Sequence, residues 1–249
     1  MNLTGKLVKS LNRFRSDKEQ LRCAAVIVAA GESTRMGSDK IFMDLCGQPV
    51  IAHTIQAFEN SPLISEIVIV TRSCSIERLA ELCSKMQFSK VSKIVSGGKT
   101  RTESALAGVS EVGRSAELIA IHDGARPLVT EDVIIRTVLA AADYHSAVPV
   151  IPSTDTLKIL DDEKYIIGEA DRKIIYRVQT PQVFDADLIK GALTTAVKRN
   201  AVITDDCSAM EILGIKTCTV TGDEDNIKLT TPNDLLNASE IINRRRIAH

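Results

Sequence analysis

Short β-branched runs, each followed by a longer stretch with helical spacing, constrain this chain more than any other feature. The runs fall at residues 23–30, 66–71, 91–95, 117–122, 145–151 and 215–220. The intervening patterns predict helices near 50–59, 75–86, 100–111, 130–142, 185–198 and 232–245. Strands that are apolar on both faces must be covered on both faces, and strands alternating with helices pair in parallel. The expectation is an α/β fold with a mostly parallel sheet covered by helices. Residues 152–178 break the rhythm with polar and apolar residues alternating around Asp161-Asp162 and Gly168. They predict short antiparallel strands that leave the main body as an arm. The chain divides into a leader (1–22), a main domain (23–245) containing the arm, and a tail (246–249).

Composition narrows the function. With 249 residues and 44% hydrophobic content, the chain can bury a substantial core. Its 31 basic and 32 acidic residues leave a net charge of -1, which argues against bulk nucleic-acid binding but allows a local basic pocket. The cysteines, 23, 46, 74, 83, 207 and 218, contain no C-x-x-C pair and read as reduced, structural thiols. The longest apolar run, 24–30, is too short to span a bilayer, and the leader lacks the form of a signal peptide. Leu3, Leu7, Leu11 and Phe14 beside Lys6, Lys9, Arg13 and Arg15 predict a short amphipathic helix there. A cytoplasmic protein without stable membrane association is expected.

The strongest local signal is VIVAAGESTRMGSDK, residues 26–40. Ala29, Ala30 and Gly31 after the first strand permit a tight turn whose backbone N–H groups can face phosphate oxygens. Arg35 adds a multi-donor fork, and Lys40 a compact charge. The segment is neither a Walker loop, since Ser38 follows Gly37, nor a dinucleotide fingerprint, since Ser33 replaces the second glycine. Ligands of open parallel sheets sit at the carboxyl ends of strands, so the segment after each strand matters. SGGKTRTES follows the third run and offers Gly98, Arg101 and Ser104 to a base or ribose. HDGARP follows the fourth, with Asp123 for a ribose hydroxyl or divalent cation and Arg126 for phosphate. His122 has no second histidine at a ligand spacing and reads as a supporting group. Thr156 and Arg172 sit in or beside the arm, where they can hold a second substrate's phosphate. The TDD sequence at 204–206 can cap a helix. Asp225 and Lys228 precede a helix start at Thr231-Pro232.

AAGESTRMGSDK, GGKTRTES, HDGARP, DTLK, TPQVF, TDDCSAME and DNIKLTTPNDL together resemble the 2-C-methyl-D-erythritol 4-phosphate cytidylyltransferase family over about residues 23–245. The resemblance implies a Rossmann-like nucleotidyltransferase sheet with a protruding β-arm, CTP as donor and 2-C-methyl-D-erythritol 4-phosphate as acceptor. It implies Arg35 and Lys40 as the catalytic basic pair and Lys228 near both phosphates. It further implies that Asp123 lies near the ribose with Arg126 in the same loop, that Gly98 and Ser104 recognise cytosine, and that Arg172 with Thr156 holds the acceptor phosphate. A homodimer with interlocked arms is also implied. Mg²⁺ is the expected cofactor, with Asp123 as first and Asp225 as second ligand. Asp39 and Ile41 around Lys40, and Ser33, depart from the family pattern, so an altered first loop is expected. Ribitol-5-phosphate cytidylyltransferases share much of this pattern, and a nucleotide-binding module without catalysis is a further alternative.

Overall fold

The computed structural model of the chain describes residues 21–31 and 40–247. Among them, β1 (Cys23–Val28) leads through a small hairpin, β2 (Asp44–Leu45) and β3 (Gln48–Pro49), to helix α1 (Val50–Asn60). Then come β4 (Ile64–Thr71), α2 (Ile76–Lys85), β5 (Val91–Ser96), α3 (Arg101–Glu111), β6 (Leu118–Asp123), α4 (Glu131–Tyr144) and β7 (Ser146–Pro152). The arm contains β8 (Lys158–Leu160) and β9 (Ile166–Glu169), and the chain returns along β10 (Tyr176–Val178) and β11 (Gln182–Asp185). Helices α5 (Ala186–Lys198) and α6 (Asp206–Ile212), strand β12 (Cys218–Thr221) and helix α7 (Pro232–Ile247) complete it.

The main sheet has the order β7-β11-β6-β1-β4-β5, and β10 and β12 also pair with β7. Strand β1 is parallel to both neighbours, with Val26 opposite Val68 of β4 and Ile121 of β6. Side chains alternate across a strand, so β1 serves two cores. Cys23, Ala25 and Ile27 meet Ile55, Phe58 and Val133 on one face. Ala24 and Val26 meet Val109, Phe184 and Leu193 on the other. This is the physical reason the run is apolar without interruption.

Two features differ from the sequence expectation. The sequence pattern does not predict strand β11, because only Gln182, Val183 and Phe184 separate Pro181 from Asp185. It lies antiparallel between β6 and β7, so the sheet is mixed at this point. Strand β10, expected within the arm, pairs with β7 of the main sheet at Tyr176–Pro152 and Val178–Val150. What projects is the β8–β9 hairpin with its flanking turns. Leu45, Val50, Leu128, Leu229, Ala238 and Ile242 form a third core that pins α7 to the sheet's carboxyl-end loops. Among the described residues, no helix is long and apolar enough to cross a membrane. All six cysteines are free thiols.

Candidate functional site

The carboxyl ends of β1, β4, β5 and β6 open onto one cleft of about 380 Å³. Ala29, Ala30 and Gly31 form one wall, Gly98, Lys99 and Thr100 another, and Lys40, Arg72, Arg101, Asp123 and Lys228 supply its charge. Each wall is held by backbone continuing the sheet. Ala29 N–H donates to Val70 O at 2.7 Å, and Gly97 N–H donates to Thr71 O at 2.8 Å. The β5–α3 loop is fixed by a reciprocal cap: Thr100 Oγ1 accepts from Glu103 N–H at 3.1 Å, and Glu103 Oε2 accepts from Thr100 N–H at 3.1 Å. Ser104, nearly buried, accepts from Gly98 N–H at 3.1 Å and donates to Thr100 O at 2.9 Å.

Gly97 lets this loop approach β1. A methyl group there would collide with Cβ of Ala30 and lie 2.7 Å from Ser104 Oγ. Both neighbours are walls of the cleft, so relief would come from moving the wall. Gly97→Ala is expected to lower folding stability by about 1–3 kcal/mol, the usual cost of overpacking, and to weaken nucleotide binding. Urea unfolding and nucleotide titration check this; wild-type values in both would show that the loop does not require the close approach.

Asp123 is the electrostatic centre. Lys228 Nζ lies 2.8 Å from Oδ2, Arg101 NH2 lies 3.4 Å from Oδ1, and Arg126 Nε lies 3.6 Å from Oδ2. Burial opposes its charge, but the Lys228, Arg101 and Arg126 cations outweigh burial and hold the carboxyl well below the ordinary carboxylate range. It is anionic throughout the neutral range.

His122 braces this carboxylate from behind. Asp123 N–H donates to Thr180 Oγ1 at 3.1 Å, Thr180 Oγ1 lies 3.0 Å from His122 Nδ1, and His122 Nε2 lies 3.1 Å from Arg126 O. The chain is satisfied when Thr180 donates to Nδ1 and a neutral ring donates from Nε2. Complete burial lowers the His122 pKa to about 4, despite opposing help from Arg126 O and Asp123. Between that value and the unfolded value of 6.5 the unfolded chain binds the proton and the folded chain does not. Stability is therefore expected to fall by about 3 kcal/mol as pH drops through this window and to be insensitive to His122 above it. Urea unfolding at several pH values checks this, with His122→Gln expected to flatten that part of the profile. An unchanged profile in the variant would contradict it.

The comparisons with known proteins agree with this architecture. The 2-C-methyl-D-erythritol 4-phosphate cytidylyltransferase family pattern matches residues 23–244. The chain belongs to the 2-C-methyl-D-erythritol 4-phosphate cytidylyltransferase family. Relatives of that name from Caldanaerobacter subterraneus and Halalkalibacterium halodurans are 41% and 43% identical, covering 87% and 88% of this chain and 96% of each relative. The crystal structure of 4-diphosphocytidyl-2C-methyl-D-erythritol synthase from Anaerococcus prevotii has a TM-score of 0.82 at 29% identity, covering 90% of this chain and 97% of the other. That of the cytidylyltransferase from Thermus thermophilus has a TM-score of 0.74 at 27% identity, covering 90% and 100%.

Within this cytidylyltransferase, Ala29, Ala30, Gly31, Lys40, Gly98, Arg101, Ser104, Asp123 and Lys228 line one cleft. Arg35 lies outside the described residues. Other expected site residues lie away from this cleft lining. Arg126, expected at a phosphate, does not line the cleft; its NH1 donates to Asn226 O at 2.7 Å and ties the β6 loop to the Lys228 loop. Asp225, expected as a second metal ligand, also lies outside the cleft lining and accepts from Arg244 at 2.7 and 2.8 Å. It anchors α7. Thr156 and Arg172 line a separate depression on the arm with Glu169, Asp171 and Lys173, so one chain does not unite them with the cleft. Sequence reading does not single out Arg72, names Lys99 only as part of SGGKTRTES, and gives Asp206 no place at the site. The first two follow strands β4 and β5 and were open to the same strand-end test. Asp206 read only as part of a cap; Asp205 is the cap, accepting from Ser208 N–H at 3.0 Å, while Asp206 turns inward.

Proposed function

We propose that the chain transfers CMP from CTP to 2-C-methyl-D-erythritol 4-phosphate, giving 4-diphosphocytidyl-2-C-methyl-D-erythritol and pyrophosphate, for isoprenoid precursor synthesis by the non-mevalonate route. Its family supports the reaction. The observation that carries the site assignment is the convergence of Lys40, Arg101, Asp123 and Lys228 on one glycine-walled cleft.

An oxygen of the acceptor phosphate attacks the α-phosphorus in line. A new P–O bond forms as the bond to pyrophosphate breaks. The acceptor is already anionic, so alignment and charge stabilisation are the main demands on the protein. Arg35 and Lys40 hold the triphosphate. Lys228, bonded to Asp123 through one N–H, has others for the phosphates at the reacting centre. Ala29, Ala30 and Gly31 present backbone to the nucleotide, and Gly98 and Ser104 shape the base pocket.

Among the described residues no group of three or more metal-ligating side chains occurs. The donor set fits Mg²⁺, which is commonly held by one or two carboxylates together with substrate phosphates and water. Asp123 would supply the protein oxygen, and the bound ion would polarise the phosphoryl oxygens.

The acceptor phosphate is held by Arg172 and Thr156 from the arm of a second copy. Leu157, Ile159, Leu160, Tyr165, Ile166 and Ile174 of the arm and its flanking turns are exposed in the single chain, as expected of a surface that another subunit covers. Pyrophosphate release should depend on CTP and 2-C-methyl-D-erythritol 4-phosphate together, and be much slower with ATP, GTP or UTP, or with ribitol 5-phosphate as acceptor. Equal or faster release with ribitol 5-phosphate would reassign the acceptor. CTP binding without any release would leave only a binding module.

A further inference from the structure

Arg101 is restrained more heavily than a simple phosphate ligand requires. Its NH1 and NH2 donate to Asp206 Oδ1 and Oδ2 at 2.8 and 2.7 Å, and NH2 also reaches Asp123 Oδ1 at 3.4 Å. An arginine has five N–H donors. Three are directed at these carboxylates, so Nε and the second N–H of NH1 remain for a ligand. Asp206 itself is fully buried and does not line the cleft. Its place is set from strand β11. Gln182 Oε1 accepts from the backbone N–H groups of Asp206 and Cys207, both at 3.0 Å, and Gln182 Nε2 donates to Asp205 Oδ2 at 3.1 Å.

The charge arrangement gives this clamp a consequence. Asp123 faces three cations, and Arg101 is already within 3.4 Å of it. Without the Asp206 carboxylate, the guanidinium would be drawn onto Asp123. It would then compete with Lys228 and turn away from the nucleotide. A bidentate carboxylate fixes the plane of a guanidinium as well as its position, which a single charge contact cannot do.

We propose that Asp206, set in place by Gln182, is a positioning residue for nucleotide binding: it orients Arg101 toward CTP and keeps Arg101 from displacing Lys228 at Asp123. This rests on the assignment of the cleft to CTP.

Steady-state kinetics on the full chain would test it, varying CTP and acceptor separately in wild type, Asp206→Asn, Arg101→Lys, Arg101→Ala and the Asp206→Asn/Arg101→Ala double variant. Loss of a charge-assisted contact predicts a rise in KM for CTP of about tenfold or more in Arg101→Ala. Asp206→Asn should raise it by a comparable factor, and the double variant should be no worse than Arg101→Ala. KM for the acceptor should remain near wild type in all four. Arg101→Lys, which keeps the charge and leaves Asp206 intact, should behave like Asp206→Asn. An unchanged KM for CTP in Asp206→Asn, effects that multiply in the double variant, or equal rises in both Michaelis constants would overturn the positioning role. Should Asp206→Asn fail to fold, Arg101→Lys decides: a raised KM for CTP supports the role, and a wild-type value overturns it. An unchanged KM for CTP in Arg101→Ala would remove Arg101 from the nucleotide site and take the clamp's role with it.

Discussion

Replacing Lys40 with alanine is expected to lower turnover by about two to three orders of magnitude, the scale of losing one well-placed transition-state donor. Lys40 opens a short 3-10 turn, Lys40–Phe42, at the end of the first loop. The turn is anchored at two points: Ile41 is buried, and the Arg78 guanidinium stacks 4.0 Å from the centre of the Phe42 ring. The lysine is thereby delivered to the cleft by a fixed support rather than by a free loop. Its charge has most value when charge builds on the departing pyrophosphate, so kcat should fall further than the affinity for CTP. Steady-state kinetics separate the two. A near-wild-type kcat in Lys40→Ala would remove the residue from the catalytic role.

Arg172→Ala is expected to reduce kcat/KM for the acceptor by about two orders of magnitude while leaving CTP binding nearly unchanged, since a charge-assisted phosphate contact is lost at one substrate only. Arg172 lies in a turn beside the β8–β9 hairpin, with Asp171 holding Lys173 N–H at 3.0 Å. Its depression is separate from the cleft lined by Lys40, Asp123 and Lys228 of the same chain. The proposed resolution is that each arm serves the cleft of another subunit. Mixing and reassembling the Lys40→Ala and Arg172→Ala proteins should then restore about a quarter of wild-type activity, because half the dimers of a symmetric pair are mixed and each carries one intact site. Equal losses for both substrates in Arg172→Ala, or no recovery on mixing, would count against this arrangement.

The sheet and its helices were legible because burial on both faces leaves an unambiguous mark. The 23–30 run is apolar throughout since β1 feeds two cores. Strand β11 left no such mark. It is short and follows Pro181, and its pairing with β6 and β7 is entirely long-range. The cleft was legible where a strand end coincided with glycine and a cation, as at Gly98 and Arg101. It was less legible where the sequence gives charge without direction. In sequence, Arg126 looks as suited to phosphate as Lys228 does, and Asp225, like Asp123, is a carboxylate that could hold a metal. Only packing shows that Arg126 reaches Asn226 and that Asp225 is taken by Arg244. Asp206 was hidden for a related reason: adjacent Asp205 and Asp206 both suit a helix start, yet one caps it and the other grips Arg101.

A crystal structure of the chain with CTP bound tests the central claim most directly. The account predicts the triphosphate between Lys40, Arg101 and Lys228, the cytosine against the Gly98 and Ser104 loop, and Arg172 of a second subunit facing the α-phosphate. A nucleotide bound elsewhere, with Lys40 and Lys228 on opposite sides of unrelated surfaces, would contradict it.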